Sequence, residues 1–233
     1  MARYNLTFAK RSYMIYTSHL DMQRLFKRVF KRADIALSYS QGYNPHPLMS
    51  FAQPLSLGYY SECELLEFKT KSDHSPSHIM DKLNQNMPEG LIILDCSRMT
   101  DSEKTLASRC YSAGYRILIP ISKMAGDVSD NNSSESVASE LVDRAGEYLK
   151  QNTVIALKRT KKHKEGVETD IKSKIRKFDF SVVDDNFVIE TILDAGSDSN
   201  LSPELLFETF NAFTGLKVPR ESVEISRTQL NCK

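Results

Sequence analysis

Residues Tyr13 to Pro54 read YMIYTSHLDMQRLFKRVFKRADIALSYSQGYNPHPLMSFAQP, and they set an amphipathic helix against a stiff polar loop. Ser18 and Asp21 stand in capping-box spacing, hydroxyl to one orphan N–H and carboxylate back to another, so the spacing predicts a helix from Ser18 to Ala33. Met22, Leu25, Phe26, Val29, Phe30 and Ala33 recur at helical spacing and make a core stripe. The other side carries Arg24, Lys27, Arg28, Lys31 and Arg32, with Asp21 the one acid of the segment before Asp34. Like charges at i,i+4 repel by about 0.2–0.5 kcal/mol per pair. Arg24/Arg28, Lys27/Lys31 and Arg28/Arg32 are such pairs, so the face is either simply solvated or an anion-binding surface.

The loop Ser40 to Pro47 follows, SQGYNPHP. Gly42 is free to take positive φ, while Pro45 and Pro47 fix their own φ and push Asn44 and His46 towards extended conformations. The loop should present Tyr43, Asn44 and His46 outwards and lose little entropy on binding. The plainer alternative is a strand connector with proline stops.

Outward from this segment the pattern is strand (Tyr4 to Ala9), helix, strand (Leu48 to Gln53), strand (Leu65 to Thr70), helix (Pro76 to Asn86) and strand (Leu91 to Cys96). After a polar stretch, Met99 to Arg109, a similar order recurs. Tyr115 to Ile121 reads as a strand, Ser136 to Lys150 as a helix, Thr153 to Arg159 as a strand, and Phe178 to Val183 with Phe187 to Leu193 as a hairpin. Pro203 to Phe213 is a helix and Val218 to Arg227 a strand, with an extra strand expected at Val167 to Ser173. The expected fold is α+β: two tandem ferredoxin-like (split βαβ) units with antiparallel sheets, residues 1–98 and 112–233. Its main rival is a single larger α+β domain. The stretch Gly126 to Ser136 is a low-complexity polar loop, expected to be mobile.

Composition sets outer limits. The chain has 233 residues, 40% hydrophobic, and a formal net charge of +1, so nucleic-acid binding would rest on local clustering and not on bulk charge. No apolar run approaches the roughly 18–20 residues of a membrane span and no signal-peptide core is present, which predicts a cytoplasmic protein. Cys63, Cys96, Cys110 and Cys232 are scattered, which argues against structural zinc and for reduced thiols. Gly-rich phosphate loops, nucleophile elbows and His-Glu-x-x-His are missing.

A second basic run, Lys158, Arg159, Lys161, Lys162 and Lys164, follows a strand and precedes another, so it reads as a hairpin tip able to follow a phosphate backbone or as a solvated loop. His19 and His46 are the candidates for acid–base chemistry in metal-free RNA cleavage. His19 has the alternative of holding the strand below, and His46 of docking into the core. Tyr4, Phe8, Phe51 and Phe68 are either core or stacking platforms on an open sheet. Asp21 reads as a cap partner, and Glu64 as a partner for a cation of the first helix.

A resemblance becomes specific over Lys10, Ser18-His19-Leu20-Asp21, Arg24, Arg28, Arg32-Ala33, Ser40, Gly42-Tyr43-Asn44-Pro45-His46-Pro47, Pro54-Leu55, Gly58 and Glu64. It continues more weakly through Asp170-Ile171-Lys172, Ser202-Pro203-Glu204-Leu205-Leu206 and Arg227. The chain resembles the radical SAM-linked family of uncharacterised bacterial domains, found C-terminal to, or encoded beside, cobalamin-binding-type radical SAM proteins. Lys172 and Ser202 depart from the arginine expected of that family, so no arginine-specific contact is carried over there.

The resemblance implies that a partner radical SAM protein supplies the iron–sulfur cluster, SAM and, in the cobalamin-binding type, cobalamin. This chain has no Cys-x-x-x-Cys-x-x-Cys run of its own, so no cofactor and no metal are expected in it. The leading expectation is an RNA-binding accessory protein that presents a structured transfer or ribosomal RNA to that enzyme. It would do so through Arg24, Lys27, Arg28, Lys31, Arg32, Tyr43, Asn44, His46 and the basic run from Lys158. The alternatives are a protein–protein adaptor docking the enzyme, and a metal-independent endoribonuclease using His19 and His46.

Overall fold

The computed structural model describes residues 1–123, 134–158, 165–215 and 218–233, with the backbone alone for 134–137. It is α+β with antiparallel strand pairing and divides into two compact units, Met1–Tyr111 with Arg227–Lys233, and Ser112–Ser226. The last seven residues, expected with the second unit, group with the first. The basic positions Arg159, Lys161, Lys162 and Lys164, and most of the polar loop Gly126 to Ser136, lie outside the described residues.

The first unit comprises β1 (Ala2–Lys10), α1 (His19–Arg32), β2 (Met49–Phe51), β3 (Tyr60–Thr70), α2 (Pro76–Asn84), β4 (Leu91–Met99) and the single turn α3 (Leu106–Arg109). β1 lies between β3 and β4, with Ala2 opposite Thr70 and Phe8 opposite Glu64, and β2 joins β3. Tyr4, Leu6 and Phe8 of β1 pack with Met22, Phe26, Val29 and Phe30 of α1, Leu66 and Phe68 of β3, and Ile79 and Leu83 of α2. Tyr4 stacks on Phe68 with centroids 5.4 Å apart, and Phe8 meets Phe26 at 5.0 Å. Tyr4, Phe8 and Phe68 are therefore core, unavailable as stacking platforms; Phe51 is half-buried, edge-on to Phe8 and Phe26. Arg3 and Glu67 pair at 2.9 Å, and Glu67 accepts the Leu106 N–H at the start of α3, tying the polar stretch down onto β1 and β3.

The second unit holds most of β5 (Cys110–Pro120), α4 (Ser134–Lys150), β6 (Ile155–Lys158), β7 (Val167–Asp170), β8 (Ile175–Val183), β9 (Asn186–Asp194), α5 (Pro203–Thr214) and the start of β10 (Glu224–Cys232). β9 runs between β5 and β8. β6 and β7 form a separate two-stranded ladder with Lys158 opposite Val167. Tyr148, Phe178, Phe187 and Phe210 pack against one another in the core. Ser202, a departure from the resembled family, caps α5 by accepting the Leu205 N–H at 3.2 Å, and Pro203 follows it in the first turn. β10 starts later than the pattern suggests, because Pro219 leads into a tight helical turn, Arg220–Ser222, before the extended run.

Cys110 and Cys232 are joined as a disulfide with Cα atoms 4.0 Å apart across 122 residues of sequence. The expectation of four reduced thiols is wrong for this pair. Scattered spacing cannot show which cysteines two strand ends bring together. Cys63 and Cys96 are free. Among the described residues no helix is long and apolar enough to cross a membrane, and no cluster of His, Cys, Asp or Glu could hold a metal ion.

Candidate functional site

α1 begins as its sequence demands. Ser18 caps it by accepting the Asp21 N–H at 3.2 Å, while its hydroxyl donates to the Asp21 carboxylate at 2.7 Å. The reciprocal bond expected of a capping box is thus made between the two side chains. Hydrogen bonds from Ser18 and then Arg24 hold the Asp21 carboxyl below the usual carboxylate range. Arg24, Lys27, Arg28, Lys31 and Arg32 are all exposed. Arg24 pairs with Asp21 at 3.0 Å, and Arg32 donates to the Asn86 carbonyl at 2.7 Å. Among the described residues Lys27, Arg28 and Lys31 make no ion pair. Lys31 and Arg32 also complement the negative end of the helix dipole, which accounts for part of the clustering without any ligand.

The chain from α1 reaches the Leu37–Thr70 bridge, and Ser38 donates to the Lys69 carbonyl at 2.8 Å. Leu48 returns by donating to the Ser38 carbonyl at 2.8 Å. The Ser40 to Pro47 loop therefore leaves and rejoins the sheet at the Lys69–Thr70 end of β3, the end to which the last turn of α1 delivers the chain. The loop is closed by three bonds between the same two residues. Ser40 N–H donates to the His46 carbonyl at 2.8 Å, His46 N–H donates to Ser40 Oγ at 3.1 Å, and Ser40 Oγ meets His46 Nδ1 at 2.9 Å. Gly42 sits at φ +140°, where a side chain would be strained. Tyr43 is 100% exposed, and Asn44 and His46 are exposed beside it.

His19 lies elsewhere. Its ring packs edge-on to Phe51 with centroids 5.4 Å apart and bonds Gln23 at 3.0 Å, while His46 is engaged with Ser40. The expected alternative for His46, docking in the core, does not hold, because the Ser40 clamp keeps it outside. Lys158, the described member of the second basic run, is exposed at the end of β6. It lines a groove of about 520 Å³ together with Lys174, Glu204 and Glu208, so its surroundings are of mixed sign.

A charged cluster lies buried at the Lys10 end of β1. Glu64 does not pair with a cation of α1. It accepts from Arg227 of β10 at 2.8 Å and from Ser61 at 2.7 Å, and Arg227 also donates to the Gln53 carbonyl at 2.8 Å. Lys10 donates to the Thr17 carbonyl at 3.2 Å; burial holds its ammonium below its ordinary pKa, against the pull of Glu64.

With these two settings described, the chain can be placed among known sequences. Its residues 3–203 match the family model of an uncharacterised protein conserved in bacteria, DUF2344. The chain belongs to the DUF2344 family. No curated protein matches it. Among solved structures, a chain of a Cbf5-Nop10-Gar1 complex is similar in fold, with a TM-score of 0.50 at 8% identity over 98% of this chain and 48% of that one. This DUF2344 chain thus spans about half the length of that protein. A crystal structure of an unknown protein from Galdieria sulphuraria aligns at a TM-score of 0.26 and 11% identity, over 100% of this chain and 98% of that one.

Lys10, Glu64 and Arg227 carry the resemblance described above, yet nothing in their local sequence assigns them a role in this DUF2344 protein. A signal does exist in β1 and β3. A lysine and a glutamate at otherwise apolar strand positions imply a buried partner, since ionised groups are seldom buried alone.

Proposed function

We propose that this protein binds RNA as an accessory to a radical SAM modification enzyme, presenting a structured transfer or ribosomal RNA to it. The observation that supports the RNA part is the exposed face of α1, where Lys27, Arg28 and Lys31 make no salt bridge among the described residues, although Asp21 feels the charge of Arg28. The loop clamped between Ser40 and His46 exposes Tyr43, Asn44 and His46. Cations of this kind capture phosphates by releasing counterions, and a rigid aromatic can stack on an unpaired base. The enzyme partnership rests on the resemblance drawn from Lys10 through Arg227. We read the strand orders β4-β1-β3-β2 and β10-β5-β9-β8, with β1, β2, β3 and β4 and likewise β5, β9 and β8 paired antiparallel, as two split βαβ units of ferredoxin-like type. Filter binding of structured RNA across a salt titration tests the capture. Affinity should fall steadily as salt rises, and a salt-independent affinity would overturn the reading.

A second reading is a protein–protein adaptor for the same enzyme, favoured by Tyr13, Tyr16, Leu20 and Leu57, all more than half exposed. They stand on segments joined by the bond from Gly58 N–H to the Ile15 carbonyl. Pull-down of the enzyme that survives RNase, and is lost on Leu20→Asp but not on Arg28→Glu, would favour the adaptor.

A further inference from the structure

Between β1 and α1 the chain makes a tight helical turn, Ser12–Tyr16, of the type with three residues per revolution. Side chains three apart eclipse in such a turn, so Tyr13 and Tyr16 project from the same side, 83% and 70% exposed. The turn is fixed from beneath. Ile15 is buried, its carbonyl accepts the Gly58 N–H at 2.9 Å, and the Arg11 N–H donates to the Gly90 carbonyl at 2.8 Å. Ser12 enters the turn at φ +50°, a left-handed conformation that is unfavourable for a residue with a Cβ and persists only where its surroundings hold it. Two large rings thus stand in water on a rigid base, where ordering them on binding costs little. Among the described residues neither phenol ring makes a hydrogen bond or a ring contact.

The charges flanking this turn are already matched, Arg11 with Glu62 and Arg24 with Asp21. A phosphate gains little there, whereas a flat uncharged group gains the faces of two rings. Further along α1 the balance changes. Leu20, Arg24, Lys27 and Lys31, at i, i+4, i+7 and i+11, form one exposed stripe with Arg28 beside it. The stripe starts two residues past the Ser18 cap, next to the aromatic turn, and ends among cations that make no salt bridge among the described residues. We propose that Tyr13 and Tyr16 are a stacking platform for unpaired bases of an RNA strand whose phosphates lie along Lys27, Arg28 and Lys31. Resting on the RNA-binding reading above, this narrows the ligand to a single-stranded loop or end of the structured RNA, since bases inside a duplex present no open face. Every base has a π-face, so the platform takes bases with little regard to sequence.

The test measures, by fluorescence anisotropy across a salt titration, the binding of the full chain to two labelled strands of equal length and charge, oligoadenylate and an abasic ribose-phosphate strand. Tyr13→Ala with Tyr16→Ala should weaken oligoadenylate binding by about 5- to 150-fold per stacked base, leave the affinity for the abasic strand alone, and keep the salt slope of both. Tyr13→Phe with Tyr16→Phe should hold the wild-type affinity, because stacking uses the ring and not the hydroxyl. Both side chains stand outside the core, so neither pair of substitutions should disturb folding. An Ala variant that binds both strands as the wild type does, or loses both equally, overturns the platform while salt-dependent capture, and with it the RNA reading, stands. Salt-dependent binding of neither strand by the wild type overturns both. Loss of the radical SAM protein from an RNase-treated pull-down by the Ala variant, with oligoadenylate affinity intact, overturns the platform in favour of the adaptor.

Discussion

Replacing Lys27, Arg28 and Lys31 together by Gln should flatten the salt dependence of RNA binding by a predictable amount. These are the cations of α1 that make no ion pair among the described residues, whereas Arg24 already spends its charge on Asp21 and Arg32 holds the Asn86 carbonyl. Each phosphate contact contributes about 0.7–0.9 to the slope of log affinity against log salt, so removing three lowers the slope by about 2 to 3. Over a fourfold rise in salt the wild type should therefore lose about 20- to 40-fold more affinity than the triple variant. Arg24→Gln alone should change the slope less than Arg28→Gln alone, because Asp21 competes with any phosphate. The substituted side chains are exposed, and the Lys27/Lys31 repulsion is relieved, so the melting temperature should stay level or rise slightly. The assay is filter binding at several salt concentrations on one structured RNA. Parallel lines for wild type and triple variant would refute the assignment of this face to RNA.

Four other outcomes follow from named contacts. Arg227→Met breaks the buried pair with Glu64, leaving Lys10 as a nearby counter-charge, and should destabilise by up to about 3–5 kcal/mol in urea unfolding; a loss below about 1 kcal/mol would mean that the pair is not buried in solution. Tyr43→Ala touches no core, so stability should stay within about 0.5 kcal/mol, while single-stranded RNA affinity should drop by about 1–3 kcal/mol if a base stacks there. Cys232→Ser opens a loop of 122 residues and should cost up to about 5 kcal/mol by the chain-entropy argument, and an unchanged urea midpoint under oxidising conditions would contradict the bond. The N–H groups of Lys172 and Val154 hold the Asp170 carboxyl below its ordinary value, so its contribution is present above the usual carboxylate range and is lost as pH falls through the lowered value. Protection of those two amides against exchange should weaken relative to their neighbours in acid, and protection that tracks the neighbours at every pH would discount the role of Asp170.

What the sequence discloses about this fold divides by range. Ser18 before α1 and Ser202-Pro203 before α5 act within one turn of backbone, and both caps stand where their spacing puts them. The stiffness of the Ser40 to Pro47 loop is likewise legible from Gly42, Pro45 and Pro47, although the Ser40–His46 clamp that completes it is not. Glu64 shows the limit. Reading outward along the chain, the nearest dense group of cations is α1, but the pairing of β10 beside β3 brings Arg227, 163 residues away, to 2.8 Å. A separation of 122 residues likewise hides the partnership of Cys110 with Cys232.

The basic face of α1 lies between these cases. Helical spacing shows which side its cations occupy, yet it is blind to Asn86, 54 residues on, whose carbonyl engages Arg32. A charge count along the helix therefore overstates what a ligand would meet. The proposed anion-binding set shrinks from five residues towards the three in the middle, and the salt slope, which responds to cations free to release counterions, is the quantity that distinguishes three from five. A loss of slope spread evenly over all five positions would show that Asp21 and the Asn86 carbonyl give way when RNA arrives. A loss concentrated at Lys27, Arg28 and Lys31 would show that the helix surface is already set before binding.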